Sequence, residues 1–118
     1  MDVKRTEQSS KLTKAFKDSL HECLIQNLPV NIFLVDHEGY ICWANERLLK
    51  RVNSTLEAVE GLHISVWDQA RWEYVYEVIV KKEEITCQEV HQESYFSTIR
   101  KPIFDENDNV IGVLGVSL

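Results

Sequence analysis

Asn31-Ile-Phe-Leu-Val-Asp-His-Glu-Gly-Tyr-Ile-Cys-Trp-Ala-Asn45 is the stretch whose reading decides the fold. Two apolar, β-branched or aromatic runs, Ile32–Val35 and Tyr40–Trp43, flank Asp36-His37-Glu38-Gly39. An Asp-to-Gly loop of this length between such runs is a hairpin signal, and Gly39 supplies the positive φ that the turn needs. Asn45 ends the second strand, and its side-chain oxygen can accept a free amide in the first turn of a following helix. The first strand is apolar at odd and even positions alike, Phe33 and Val35 against Ile32 and Leu34. A strand with one wet face would alternate, so both faces of this one are expected to be covered.

Upstream, residues 1–10 are polar and read as a flexible lead-in. Residues 11–28 then form a helical pattern, with Leu12, Ala15, Phe16, Leu20, Cys23, Leu24 and Leu28 on one stripe and Pro29 ending it. Two compatible roles fit that stripe. It can cover one face of the sheet, or it can pack on a second copy through Leu12, Phe16, Leu20 and Cys23.

Downstream of Asn45, Leu48, Leu49 and Val52 mark a short helix that Asn53 can close in the left-handed conformation. Ser54-Thr-Leu-Glu57 reads as a capping box opening a second helix, which Gly61 closes. Asp68 can cap a third, with Trp72, Val75, Tyr76 and Ile79 as its buried stripe and Glu77 and Lys81 paired on its outer side. Ile85–His91 and Tyr95–Phe104 read as antiparallel strands joined by a turn at Gln92-Glu93-Ser94. Pro102 lacks a ladder donor and belongs at a strand end or an unpaired edge. After a polar turn at Asp105–Asn109, Val110–Leu118 forms a last strand that is apolar on both faces. The pattern is α+β, with residues 29–118 as the core domain.

Composition narrows the function classes. At 118 residues the chain is one domain, and a formal charge of −6 argues against binding nucleic acid through a basic face. No apolar run reaches the length of a membrane span, and no signal peptide opens the chain. Cys23, Cys42 and Cys87 offer neither a disulfide framework nor metal-ligand spacing, and read as reduced thiols of a cytoplasmic protein. No Ser-His-Asp arrangement, Gly-rich phosphate loop or His-Glu-x-x-His occurs, so an enzyme is not expected.

The order helix, two strands, three helices, three strands resembles the PAS family of sensory domains over roughly Leu24 to Leu118. The resemblance is carried by Leu28-Pro29, Val35-Asp36-x-x-Gly39-x-Ile41, Asn45, Gly61, Tyr95, Pro102-Ile103-x-Asp105 and Val110-Ile-Gly-Val-Leu-Gly115. Asp36, Gly39, Asn45, Gly61 and Pro102 are its structural positions. Asn53 and Asp108 stand where the family often has glycine, and both tolerate the left-handed conformation. The resemblance implies a five-stranded antiparallel sheet with helices cupped on one face and an amphipathic N-terminal helix. It also implies a homodimer and a signal relayed to an output domain such as a histidine kinase.

Such domains hold a ligand between sheet and helices, or none. Candidate ligand contacts are Trp67, Trp72, Tyr76 and Ile79 near the third helix, and Thr86, Tyr95 and Ser97 on the strands, with Gln88 and Thr98 as further polar positions. Core filling is the alternative role of the aromatics. Strand alternation sends half of the polar set away from the helices, and parity alone does not say which half. Haem-binding relatives place a histidine on or near the third helix, and Asp68–Lys82 has none; His63 is the one histidine near a pocket wall. The flavin-bonding branch requires an Asn-Cys-Arg-Phe-type motif, which is absent. No resident cofactor is expected, neither haem nor FMN, and Cys42 reads as a small core residue.

Overall fold

The hairpin consists of β1 (Asn31–Asp36) and β2 (Ile41–Ala44), paired antiparallel. The computed structural model describes residues 11–14, 29–91 and 93–118. Asp36 organises the turn: its Oδ1 accepts the Glu38 and Tyr40 amides at 2.9 and 3.0 Å, and Gly39 takes φ +90°. Three short helical elements follow, α1 (Glu46–Arg51), α2 (Leu56–Val59) and a 3-10 turn (Ile64–Val66), and then α3 (Gln69–Lys81). Strands β3 (Ile85–His91), β4 (Ser94–Phe104) and β5 (Val110–Ser117) complete a five-stranded sheet in the order β2-β1-β5-β4-β3, with every neighbouring pair antiparallel.

Asn45 joins hairpin to helix. Its Oδ1 accepts the Leu48 amide at 3.1 Å, as an N-cap should, and also the Ile32 amide at 3.0 Å; its Nδ2 donates to the Val30 carbonyl at 2.8 Å. One side chain thus serves the first turn of α1 and the start of β1. Asn53 closes the turn after α1 at φ 55°, Gly61 follows α2 at φ 86°, and Asp108 takes φ 60° in the last turn. The Asp68 Oδ1 caps α3 on the Ala70 amide at 2.8 Å.

Both faces of β1 are covered. Phe33, Val35, Ile41 and Val113 meet Leu48, Leu49, Val59, Ile64, Val75 and Val78 on the helix side. Ile32, Leu34 and Cys42 form a second apolar cluster on the far side, joined by Leu12 and flanked by Ile111, Leu114 and Val116. Leu12, within helical residues 11–14, is therefore buried against the chain's own sheet. Phe16, Leu20 and Cys23 of the same stripe, like the lead-in 1–10, lie outside the described residues. Among the described residues no helix is long and apolar enough to cross a membrane.

Two local expectations are corrected. The N-cap of α2 is Thr55, whose Oγ1 accepts the Ala58 amide at 3.3 Å, and not Ser54, whose amide closes the preceding helix on Leu49 O. The buried stripe of α3 centres on Val75 and Val78, which leaves Tyr76 half exposed at 54% and Trp72 and Ile79 at the margin. The 3-10 turn at Ile64–Val66 has no periodicity that a sequence pattern could register. Pro102 sits on β4 past the end of its pairing with β3, which stops at Ile85 opposite Arg100, so its missing donor leaves no β3 partner unserved.

Gly115 carries a packing demand of its own. It lies opposite Phe33 in the sheet, and the Phe33 ring occupies the space where a Cβ on Gly115 would stand. Gly115→Ala is expected to cost about 2 kcal/mol through overpacking. Urea denaturation checks this, and adding Phe33→Leu should recover part of the loss.

Candidate functional site

Register decides which strand residues face the helices. Asn31, Ser117, Thr98 and Cys87 form one row across four strands, and Phe33, Gly115, Arg100 and Ile85 form the next. On β3 the odd residues, and on β4 Phe96, Thr98 and Arg100, therefore point under α3. Because Gly115 contributes no side chain, Phe33 and Arg100 meet across it, with the guanidinium carbon 5.8 Å from the ring centroid. Tyr74 of α3 lies against the same guanidinium at 4.7 Å.

The space between sheet and α3 holds a network of charges. Arg100 donates through both terminal nitrogens to the two oxygens of Glu89, with Nη2 to Oε1 at 3.0 Å, and the two side chains are only 3% and 1% exposed. His91 Nε2 lies 2.7 Å from Glu89 Oε1, and its Nδ1 lies 3.1 Å from Asp68 Oδ2. A neutral imidazole has one N–H and can donate to one of those carboxylates; the imidazolium donates to both. Arg51 donates to the His91 carbonyl at 2.8 Å and lies 4.3 Å above the Phe96 ring. Arg71 lies 5.5 Å from the Trp67 ring, and its buried Nε has no partner among the described residues; the same holds for Nε of Arg100. Thr98 and Ser117 pair their hydroxyls at 2.9 Å beside this network.

Electrostatics follow from the contacts. Burial by itself would raise the Glu89 carboxyl, but hydrogen bonds from Arg100 and His91, reinforced by their charges, outweigh it and hold the group below its ordinary 4.5. Burial lowers the Arg71 pKa, against the opposing pull of Asp68.

The inner cavity bounded by these groups measures about 10 Å³ and is lined by Asn31, Phe33, Leu48, Phe96 and Ser117 with the charged residues. That is room for about one water. Beside it, a surface cleft of about 410 Å³ is lined by Val52, Val66, Trp67, Asp68, Arg71, Val90 and His91. Arg71 and His91 border both spaces.

The structure divides the ligand contacts expected from the sequence. Trp67 lines the outer cleft, while Trp72 and Ile79 pack at the edge of the core. Trp72 also stacks edge-on against His63 at 4.7 Å. Tyr76 is turned to solvent. Thr86, Tyr95 and Ser97 have the wrong parity: they lie on the sheet face away from the helices, Tyr95 at 85% exposure, and none lines the inner cavity. His63 bonds to Ser65 Oγ at 2.8 Å and to the Glu38 carbonyl at 3.0 Å, which ties α3's approach to the hairpin turn. The residues that do face inward, Glu89, His91, Arg100, Arg71 and Arg51, were not among the expected contacts. The signal missing from the sequence is strand register.

No protein-family model matches the chain, and no curated protein sequence does. Solved structures do match. The PAS domain of histidine kinase ThkA superposes with a TM-score of 0.69 at 17% identity, over 75% of this chain and 96% of that one. A sensory box sensor histidine kinase from Vibrio cholerae gives 0.67 at 17%, over 92% and 95%. The PAS domain from Bordetella pertussis BvgS gives 0.62 at 21%, over 86% and 85%. The chain has the PAS fold: a five-stranded antiparallel sheet with helices on one face.

Proposed function

We propose that this chain is a sensory PAS domain, without enzymatic activity of its own, that relays a small-molecule or conformational signal to an output domain such as a histidine kinase. The observation that carries the reading is the buried Glu89–Arg100 pair with His91, set between sheet and α3 in a domain of PAS fold. Buried ion pairs contribute little net stability compared with apolar packing of the same volume. Retaining one there fits a part whose arrangement must be able to change. The network spans β3, β4 and the start of α3, so a change at His91 or Asp68 bears on β4, which is hydrogen-bonded to β5. The similar protein VqmA has been solved bound to DPO, which supports small-molecule recognition in this fold.

The inner cavity of about 10 Å³ favours a second reading, a ligand-free interaction or dimerisation module. The homodimer, the cytoplasmic location and the absence of haem, FMN and nucleic acid belong to the proposal. Native mass spectrometry and an absorption spectrum of the purified domain test it together. The expected result is a colourless dimer whose melting temperature rises with a small molecule. A tight dimer that carries nothing and responds to no compound supports the interaction module instead, and a Soret or flavin band that co-elutes with the protein contradicts the cofactor reading.

A further inference from the structure

We infer that the cleft formed by Val52, Val66, Trp67, Arg71, Val90 and His91 binds a small organic carboxylate, with Arg71 as its charge partner. This deepens the sensory reading and rests on it.

The charges facing this region do not balance. Arg51, Arg71 and Arg100 bring three guanidinium groups against the carboxylates of Glu89 and Asp68, and both carboxylates are already engaged. Glu89 takes Arg100 and His91. Asp68 takes the Ala70 amide on one oxygen and His91 on the other. Arg71 is left with a buried Nε–H that has no acceptor among the described residues, which is costly for a charged donor. The terminal nitrogens of a guanidinium can take both oxygens of a carboxylate at once.

The rest of the cleft fits the carbon part of such a ligand. At about 410 Å³ it falls within the range of small-molecule pockets, and Val52 and Val66 give it apolar lining, Val66 at 57% exposure. Asp68 on the rim and a single guanidinium lining the cleft disfavour a phosphate dianion, which needs more donors. A carboxylate at Arg71 would also sit beside His91, whose other nitrogen holds Glu89. Occupancy would thereby reach the inner ion pair without a ligand entering the small cavity.

The test is NMR titration of the domain with phenylacetate and butyrate, against phenylacetamide and inorganic phosphate, following the indole N–H of Trp67 as assigned with Trp67→Phe. Saturable shifts of that resonance are expected with the carboxylates and not with the amide. Arg71→Gln is expected to weaken binding about tenfold or more, the loss of a charge-assisted bidentate contact, and Arg71→Lys less. Circular dichroism establishes that each variant is folded; should Arg71→Gln unfold, Arg71→Lys and the amide comparison carry the test. The site is refuted by an unmoved Trp67, by equal binding of the amide or phosphate, or by unchanged affinity in a folded Arg71 variant. A neutral molecule retained by the purified domain, with carboxylates inert, sinks this site and leaves the sensory reading intact.

Discussion

Glu89→Ala is expected to remove about 3–5 kcal/mol of folding stability, the loss typical of breaking a buried ion pair from one side. The cause is the charge left behind. Arg100 is 2% exposed, and without Glu89 its guanidinium keeps, among the described residues, ring contacts with Phe33 and Tyr74 but no carboxylate bonded to it. For a domain with a total stability of about 5–15 kcal/mol such a loss is severe, so urea midpoints at low temperature are the suitable measurement. Replacing both partners, Glu89→Met with Arg100→Met, should cost less than Glu89→Ala alone, because no charge is then stranded. If the double variant were the less stable one, the pair would be a net stabiliser and its reading as a switch would lose its support.

The same pair sets an acid limit. The Glu89 carboxyl is held below its ordinary 4.5 in the folded protein. A carboxyl depressed by folding contributes stability that is fully present above its unfolded value and is lost as pH falls through the folded one. The wild-type domain is therefore expected to lose stability on acidification below pH 4.5, and a folded Glu89→Gln variant to show a flatter dependence over that range.

Asn45→Ala is the second large effect, at about 2–4 kcal/mol. Loss of a helix cap accounts for about 1 kcal/mol of this. The remainder comes from the Ile32 amide and the Val30 carbonyl, both in a buried part of β1's approach, which lose their partners together. Asn45→Asp separates the contributions. It keeps the acceptor for Leu48 and Ile32 but replaces the donor to Val30 with a second oxygen, so an intermediate loss is expected. A midpoint for Asn45→Ala within about 1 kcal/mol of wild type would reduce Asn45 to a cap.

How far the chain could be read before its structure depended on the range of the interactions. Local chemistry was legible. The Asp36–Gly39 turn, the Asn45 cap, the left-handed Asn53, Gly61 and Asp108, and the Asp68 cap each rest on a residue and its nearest neighbours in sequence. The Thr55 cap was misplaced by one residue because Ser54 and Thr55 carry equivalent hydroxyls, and only the closing bond of α1 chooses between them. The stripe on α3 was misassigned because a helix turns 100° per residue and tolerates a shift of its buried centre from Tyr76 to Val78.

The amino-acid sequence by itself determined the order of the elements, the burial of β1 on both faces and the need for a cover on each side. All of these follow from period, cap chemistry and the cost of exposing apolar surface. Only the tertiary structure decided the site. Thr86, Tyr95 and Ser97 are polar, as are the charged Glu89 and Arg100, but strand pairing puts the first three on the outer face and the last two under α3. A shift of one residue in register exchanges those faces, and register is set by partners distant in sequence. The side-chain gap at Gly115 that lets Arg100 reach Phe33 likewise exists only once β1, β5 and β4 lie side by side.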